Sequence, residues 1–368
     1  MKQKLAVIGL KGLPAYGGAA AVGENLIEHL KDEFEITVYS TSSHTNLKTG
    51  PLNGFKQIVF NKIKNKKLNT LLYYCRSAIH AFFRCNYDVI HLHHRDAAFI
   101  LPLLRLRGYK TITTLHGTRL TEKWAKYEFF FNIQDWILVK FSHKITSVSP
   151  IHYSKIINKT KKHISYIPNG IKPMDTDWLP NKIDYSNYLV FAAGRIVPSK
   201  GCHTFLKAAK KLQIKRPILI IGDVDQLPEY KKELLKLSEG LQVSFIGLVK
   251  NKSELFSYFK NASLFVYPSS IEAMSMILLE AASVKVPIIC SDIPENKNIF
   301  SQKQVSFFKV DDVEDLCKVL KSNLSDQAFT RKKAEIAFEY LIQNYRWEDI
   351  SESYLTEIQN IKLKKQTN

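Results

Sequence analysis

The sequence has no apolar run approaching the ~20 residues that a membrane-spanning helix needs, which excludes a spanning segment. Its five cysteines are odd in number and lack the spacing of metal ligands, so we expect reduced thiols in a cytosolic protein rather than a disulfide scaffold. Hydrophobic residues make up 45% and charged residues 24% of the chain, which excludes a disordered polymer. The length of 368 residues therefore predicts two globular domains.

Acidic residues are missing from two long windows. Residues Ile36–Tyr87 contain eight basic and no acidic residues, and Trp136–Met174 contain seven basic and no acidic residues. Residues 1–175 hold 26 Lys and Arg against 11 Asp and Glu, a net charge of +15 out of +19 for the whole chain. A basic surface attracts nucleic acid, anionic lipid or phosphorylated ligands by long-range electrostatics. The first half is therefore the expected place for an anionic partner.

The segment LLYYCRSAIHAFFRCNY (71–87) follows the lysine-rich KIKNKK. Basic residues beside an aromatic-rich helix suit a membrane surface, although a half-buried helix in a lysine-rich protein fits equally well. Zinc-finger spacing and RNA-binding sheet motifs are absent, so we expect no nucleic-acid partner. The predicted membrane or acceptor face comprises Lys62, Lys64, Lys66, Lys67, Arg76 and Arg84.

Short apolar runs alternate with helix-like segments in both halves of the sequence, which predicts two parallel α/β sheets. Residues 168–188, rich in Pro, Asn and Asp, predict the linker. We therefore expect an α/β chain of two doubly wound, Rossmann-like domains facing across a cleft, with domains at 1–175 and 176–340. The predicted strands are 4–10, 35–41, 57–60, 87–93, 110–117, 144–149, 163–170, 188–194, 217–223, 243–249, 262–269 and 286–292.

The first strand is followed by a glycine-rich turn, GLPAYGG. Gly17 and Gly18 would let a ligand approach the backbone, and the next helix offers free N–H groups to an anion. No G-x-G-x-x-G occurs, so an NAD enzyme is disfavoured.

Two segments of the second half carry candidate ligand-binding charges. GRIVPSKG (194–201) presents Arg195 and Lys200 from one strand–helix loop, where both could meet a diphosphate, although solvated loop charges are the alternative. EAMSMILLE places Glu272 and Glu280 eight positions apart, roughly 80° around a helix, with Glu272 in the preceding loop. Carboxylates suit sugar and ribose hydroxyls, and the small apolar neighbours are unlike a solvated surface.

These two segments, in this order after a Rossmann-like half, resemble the retaining GT-B glycosyltransferases of family 4, which carry G-R-x-x-x-x-K-G and E-x7-E in the donor domain. The GLPAYGG turn resembles the rhamnosyltransferase-like enzymes of bacterial surface polysaccharides. The resemblance implies retaining transfer of a sugar from a nucleotide diphosphate to an acceptor hydroxyl. The basic first half adds the expectation of a glycan or lipid-linked acceptor at the inner face of the plasma membrane. The resemblance also implies that the C-terminal segment 341–368, predicted helical over 335–358, crosses back to the first domain.

The resemblance also assigns roles. Arg195 and Lys200 would neutralise the diphosphate, Glu272 would bind the donor sugar, Glu280 would hold the ribose, and His116 would point toward the donor sugar. Ser275 stands near the usual glycine of the motif, which leaves the identity of the donor open. The implied donor and nucleotide site comprises Gly17, Gly18, Gly194, Asp223, Ala273, Met274, Ser275, Met276 and Glu280.

Two patterns could indicate a metal, and we expect none. Asp223-Val224-Asp225 spells the D-x-D of another glycosyltransferase architecture, but it ends a strand in the second half and we interpret it as a loop near the nucleotide. His91, His93 and His94 lack a further ligand at useful spacing, which favours strand-end structure over zinc. The alternative to a glycosyltransferase is a basic protein without catalytic activity that binds a membrane or nucleic acid.

Overall fold

The computed structural model describes residues 2–15, 18–117, 128–151, 164–173 and 187–363. The chain forms two compact domains. The first comprises residues 1–169 together with 347–368, and the second comprises 170–346. The borders therefore fall six residues before and six residues after the predicted positions at 175 and 340.

The first domain contains an eight-stranded sheet in the order β3-β4-β2-β1-β5-β6-β7-β8, parallel except where β3 pairs antiparallel with β4. The short hairpin strand β3 was not predicted. Strands β1 and β5, at the centre, are apolar runs buried on both faces, as expected for a covered parallel sheet. The strands are β1 (Gln3–Lys11), β2 (Phe34–Thr41), β3 (Gly50–Leu52), β4 (Phe55–Phe60), β5 (Val89–Leu92), β6 (Lys110–Leu115), β7 (Lys144–Ser147) and β8 (Ile164–Tyr166).

Helices cover both faces of this sheet. The connection from β1 to β2 runs toward one edge of the sheet, whereas the connections from β4 onward run toward the other edge. Because such crossovers are right-handed, the helix of the first connection lies on one face and the helices of the later ones lie on the other. The side chain of Asn65 caps α2 by accepting from two backbone N–H groups. The helices are α1 (Gly18–Leu30), α2 (Lys66–Arg84), α3 (Leu101–Leu106, after a 3-10 turn at Arg95–Ile100) and α4 (Glu128–Phe141).

The second domain contains a six-stranded parallel sheet in the order β11-β10-β9-β12-β13-β14. The strand order reverses at β9, so the β9–β12 boundary is the topological switch point where ligands bind in such sheets. Strand β14 was not predicted. The strands are β9 (Tyr188–Arg195), β10 (Ile218–Asp223), β11 (Val243–Gly247), β12 (Ala262–Tyr267), β13 (Ile288–Ser291) and β14 (Ser306–Phe308). The helices are α5 (Cys202–Lys211), α6 (Pro228–Ser238), α7 (Lys252–Lys260), α8 (Met276–Ala282), α9 (Pro294–Ile299), α10 (Val313–Ser325) and α11 (Gln327–Asn344).

The C-terminal helical segment is two helices rather than one. Helix α11 ends at Asn344, and the N–H of Ile171 donates to the Tyr345 carbonyl at 2.7 Å. Helix α12 (Trp347–Leu363) then packs against α1 of the first domain. Its Trp347 is 1% exposed, and Glu357 pairs with Lys144 of β7 at 2.7 Å. No helix in the described ranges is long and apolar enough to cross a membrane.

Candidate active site

The predicted donor residues of the second domain gather at the carboxyl ends of three neighbouring strands. Arg195 ends β9 and Asp223 ends β10, and the two are partners in the ladder between these strands. The loop that carries Glu272 follows β12, the neighbour of β9 on its other side. Parallel strands therefore bring segments far apart in sequence to one edge, at the switch point of the sheet.

A short turn, Pro198–Lys200, is fastened to the loop after β12. The Ser199 carbonyl accepts from the Ser270 N–H at 2.8 Å and from the Ser269 hydroxyl at 3.1 Å. Gly201 ends the turn with φ +72°, and a Cβ on it would lie 2.1 Å from the Pro268 carbonyl oxygen. Only glycine permits this approach, which fixes the position of Lys200.

Glu272 lies at the centre of the site. Its Oε1 accepts from Lys200 Nζ at 2.5 Å, from Ser269 Oγ at 2.7 Å, and from the hydroxyl of Tyr267. Burial raises the pKa of the Tyr267 hydroxyl well above its ordinary value, and the charge of Glu272 raises it further, so Tyr267 remains a donor. No residue in the described part of the chain hydrogen-bonds to Glu272 Oε2, which can therefore accept from a ligand.

Ser275, which stands near the usual glycine of the motif, makes two hydrogen bonds within the protein. Its hydroxyl donates to Tyr267 at 2.7 Å and accepts from the Leu278 N–H at 3.3 Å, capping α8. The hydroxyl is thus committed to holding Tyr267, and the side chain is only 5% exposed. Ala273 and Met274 complete the loop, and Met276 begins α8.

Glu280 lies on α8, as expected, and is buried. It pairs with Lys252 of α7, a residue that the sequence analysis did not single out. Burial raises the pKa of the Glu280 carboxyl, and Lys252 opposes this shift. The carboxylate is thus already compensated by a cation before any ribose is present.

Arg195 is the available cation of the site. Its side chain is exposed, and none of the described residues pairs with its guanidinium. The adjacent Gly194 leaves open space, because a Cβ there would meet nothing within 4 Å. A fork of N–H donors beside an open backbone matches the geometry of a phosphate.

Both carboxylates of the D-x-D pattern have partners nearby, Asp223 within its own loop and Asp225 on the following helix α6. Asp223 accepts from the Asp225 N–H at 3.0 Å and from Gln226 Nε2 at 2.8 Å, and the bond from Gln226 is the main cause of its lowered pKa. Asp225 pairs with Lys231 at 2.7 Å. Across the described residues, no group of three or more His, Cys, Asp or Glu side chains is arranged to hold a metal.

His116 follows β6 in the first domain and belongs to a cluster of histidines. Its Nε2 lies 3.1 Å from His93 Nδ1, and the ring of His93 lies 4.0 Å from that of His91. Burial lowers the pKa of all three, to about 3 for His91, so the cluster is neutral at pH 7. A contact between His116 and a donor sugar stays a prediction.

Of the predicted turn, Gly17 lies outside the described residues and Gly18 begins α1. The Ala15 N–H, just before the gap, donates to Glu24 of α1 at 3.2 Å. The six basic residues predicted as a membrane or acceptor face are all exposed, on α2 and the loop that leads into it.

Two family models match the chain. One, described as "Glycosyltransferase Family 4", matches residues 16–174, and the other, "Glycosyl transferases group 1", matches residues 180–340. Together they span nearly the whole chain. The chain belongs to the group 1 glycosyltransferases.

The curated relatives are identical to this chain at about one aligned residue in four. An uncharacterised 41.2 kDa protein of the Klebsiella pneumoniae cps region is 25% identical, over 73% of this chain and 78% of that protein. The capsular polysaccharide biosynthesis glycosyltransferase CapM of Staphylococcus aureus is 24% identical, over 67% of this chain and 70% of CapM.

Solved structures share the fold of this glycosyltransferase. Sucrose-phosphate synthase from Thermosynechococcus elongatus superposes with a TM-score of 0.81 at 19% identity, covering 98% of this chain and 99% of that one. Anabaena HepE in complex with UDP and glucose superposes with a TM-score of 0.77 at 16% identity, covering 97% of this chain and 100% of HepE. The prediction of a GT-B chain with two Rossmann-like domains is confirmed.

Proposed function

We propose that this glycosyltransferase transfers a sugar, with retention of configuration, from a nucleotide diphosphate to a glycan or lipid-linked acceptor in surface polysaccharide synthesis. The observation that carries the proposal is Glu272, whose Oε1 is held by three donors while Oε2 remains available. A carboxylate fixed in this way can accept from hydroxyls of a donor sugar. The similarity to CapM and to a cps-region protein supports the pathway.

The leaving diphosphate needs positive charge as the glycosidic bond breaks, because negative charge then develops on its oxygen. Arg195 supplies a guanidinium without a competing partner, and Lys200 supplies an ammonium fixed by Gly201 and the Ser199 carbonyl. Such preorganised charges provide much of the catalysis in reactions of this kind. Because Lys200 also contacts Glu272, one side chain links the diphosphate end of the site to its sugar end.

Substitution of the two charged residues tests the proposal. Arg195→Ala and Glu272→Gln should each lower kcat/KM by about 100-fold or more, the loss typical of one charge-stabilising group. Arg331→Ala and Glu335→Gln, at exposed positions of α11, are matched controls that should leave turnover unchanged. Wild-type rates in both site variants, with the fold intact by circular dichroism, would contradict the assignment.

The donor can be sought without knowing the acceptor. A ligand that binds only the folded state raises Tm with concentration, so UDP-, GDP- and dTDP-sugars can be screened by thermal shift. The solved HepE complex with UDP and glucose makes UDP-sugars the first to try. We propose that no metal is needed: loss of turnover in EDTA, restored by Mg²⁺, would show otherwise. Salt-sensitive binding without turnover of any sugar nucleotide would instead indicate the basic binding protein without catalytic activity.

We further propose that the exposed basic residues of α2 and its preceding loop attract the protein to the inner face of the plasma membrane. Clusters of Lys and Arg are drawn to anionic lipid, with about 1 kcal/mol per residue near the surface. Flotation with anionic vesicles at low salt should be lost when Lys62, Lys64, Lys66 and Lys67 are changed to Glu. Equal flotation of the two proteins would count against this docking.

A further inference from the structure

The outward face of α4 is apolar and aromatic. Phe129, Ile133 and Trp136 lie on one side of this helix, at intervals of four and three residues, and are 79%, 41% and 56% exposed. The opposite side is buried in the domain through Gln134 and Leu138. Phe130, next to this row, is 56% exposed. The side that would face water in an ordinary surface helix thus carries its largest apolar groups.

Helix α3, beside α4, and helix α2, beside α3, share this property. Contacts of α2 with α3, and of α3 with α4, place the three helices in one layer. Leu106 at the end of α3 is 78% exposed. Leu68, Ile79 and Phe83 of α2 are 46%, 51% and 73% exposed, on the side of that helix away from its buried tyrosines. One layer of the first domain therefore presents a broad apolar surface.

The charged side chains of these three helices are cationic except for two carboxylates of α4, the exposed Glu128 and Asp135. Lys140 Nζ lies 4.6 Å from the ring centre of Trp136, at the end of the α4 row. Asp135, a carboxylate within α4, is turned toward Arg95 and pairs with it. Trp and Phe beside Lys are the composition of a helix lying in a headgroup region, with the ring in the lipid and the ammonium near the phosphates.

We propose that the outer face of α2, α3 and α4 is a bilayer-docking surface, on which the aromatic face of α4 inserts among the lipids of an anionic membrane. The inference deepens the proposed membrane docking, adding insertion to electrostatic attraction, and does not depend on the donor chemistry. A second copy of the chain is a poorer occupant. A two-fold interface would set this basic surface against itself, whereas an anionic bilayer complements it.

Insertion and attraction differ in their response to salt, since screening weakens charge pairs and leaves apolar burial in place. Vesicles of equal parts phosphatidylglycerol and phosphatidylcholine should bind the wild type at low salt and retain a fraction at 0.5–1 M NaCl, roughly where the Debye length falls toward 3 Å. The variant Phe129→Ser/Ile133→Ser/Trp136→Ser should lose at least tenfold in binding at high salt, because it removes the large apolar side chains whose burial in lipid screening does not weaken.

The second domain offers a matched control. Phe329 of α11 is 57% exposed and carries Lys333 Nζ 5.3 Å from its ring centre, so it repeats the pairing of Trp136 with Lys140. Phe329→Ser should leave vesicle binding unchanged. A blue shift of tryptophan fluorescence on vesicles, present in the wild type and lost in Trp136→Phe while binding persists, would place the Trp136 ring in lipid.

Several results would overturn the inference. The triple variant binding at high salt as well as the wild type would do so, as would a wild type fully released by salt. A dimer in solution that the triple variant dissociates would assign the surface to a second copy. Thermal stabilisation by a nucleotide sugar, preserved in the triple variant, shows that its fold and donor site are intact. Failure of lipid insertion is thereby separated from failure of the proposed transferase.

Discussion

The two domains use the same parallel α/β scaffold for different chemistry. Ten of the eleven histidines and most of the excess positive charge precede residue 170, whereas the second domain has nearly balanced charge. At the strand ends of the first domain stand neutral, buried histidines. At those of the second stand a free arginine and Glu272, which is paired with Lys200, while Glu280 on α8 is paired with Lys252. The same scaffold thus presents different side chains at the strand ends of the two domains.

The largest expected effect concerns the backbone of the second domain. Gly222 in β10 has φ +145°, and a Cβ there would lie 1.9 Å from the Ala193 carbonyl oxygen of β9. Gly222→Ala should therefore destabilise the second domain by more than about 2 kcal/mol, measured by urea unfolding. Gly194→Ala, where the added Cβ meets open space, should change stability by less than about 0.5 kcal/mol. A loss of stability in Gly222→Ala as small as that in Gly194→Ala would contradict this prediction, because it would mean that β9 and β10 can shift to accommodate the added Cβ.

Lowering the pH should destabilise the first domain before the second. Burial lowers the pKa of His91 to about 3 and that of His94 to about 4, against about 6.5 in the unfolded chain. Below pH 6.5 the unfolded state binds protons that the folded state does not, so stability is full above 6.5 and falls as the pH drops. His91 alone accounts for a loss of about 2 kcal/mol at pH 5.

Hydrogen exchange followed by mass spectrometry can measure the loss of stability with falling pH in each domain separately. Protection of β5 and β6 should fall between pH 6.5 and 5 before protection of β9 and β10, since the second domain contains a single histidine, His203. His91→Gln should reduce the pH dependence of the first domain. An equal loss of protection in both domains would contradict the role of the histidine cluster.

The smallest expected effect on stability comes from removing a helix cap, which can be compared between the two domains. Ser275→Ala should cost about 1 kcal/mol through loss of the α8 cap, and should also raise the KM for the donor several-fold, because Tyr267 loses the hydroxyl that positions it. Asn65→Ala removes the cap of α2 in the first domain and should give a similar fall in Tm with an unchanged KM. A KM that stays constant in Ser275→Ala would mean that Tyr267 needs no support.

Much of the fold could be predicted because buried parallel strands are continuous apolar runs, visible at any point of the chain. Strand β3 was missed because its Gly50 and Pro51 are typical of a turn. Strand β14, with three residues, was also missed, whereas the equally short β8 was predicted as part of 163–170. The split of the C-terminal segment was missed because helical composition continues through residues 345 and 346. The break is imposed by pairing with Ile171, which is distant in sequence.

The sequence singled out residues of the candidate site but not the contacts between them. Arg195, Lys200, Glu272 and Glu280 could be selected because their types and spacing match a motif. Tyr267 was hidden inside an apolar strand, and Lys252 among many surface lysines.

The sequence by itself determined the two α/β halves, the uneven charge and the presence of the GRIVPSKG and EAMSMILLE segments, because composition and local periodicity are properties of neighbouring residues. The tertiary structure alone decided that Lys200 and Glu272 form one ion pair, that Ser275 supports Tyr267, and that the aromatic row of α4 faces outward. These features depend on strand order and helix orientation. Both arise when segments distant in sequence pack against one another.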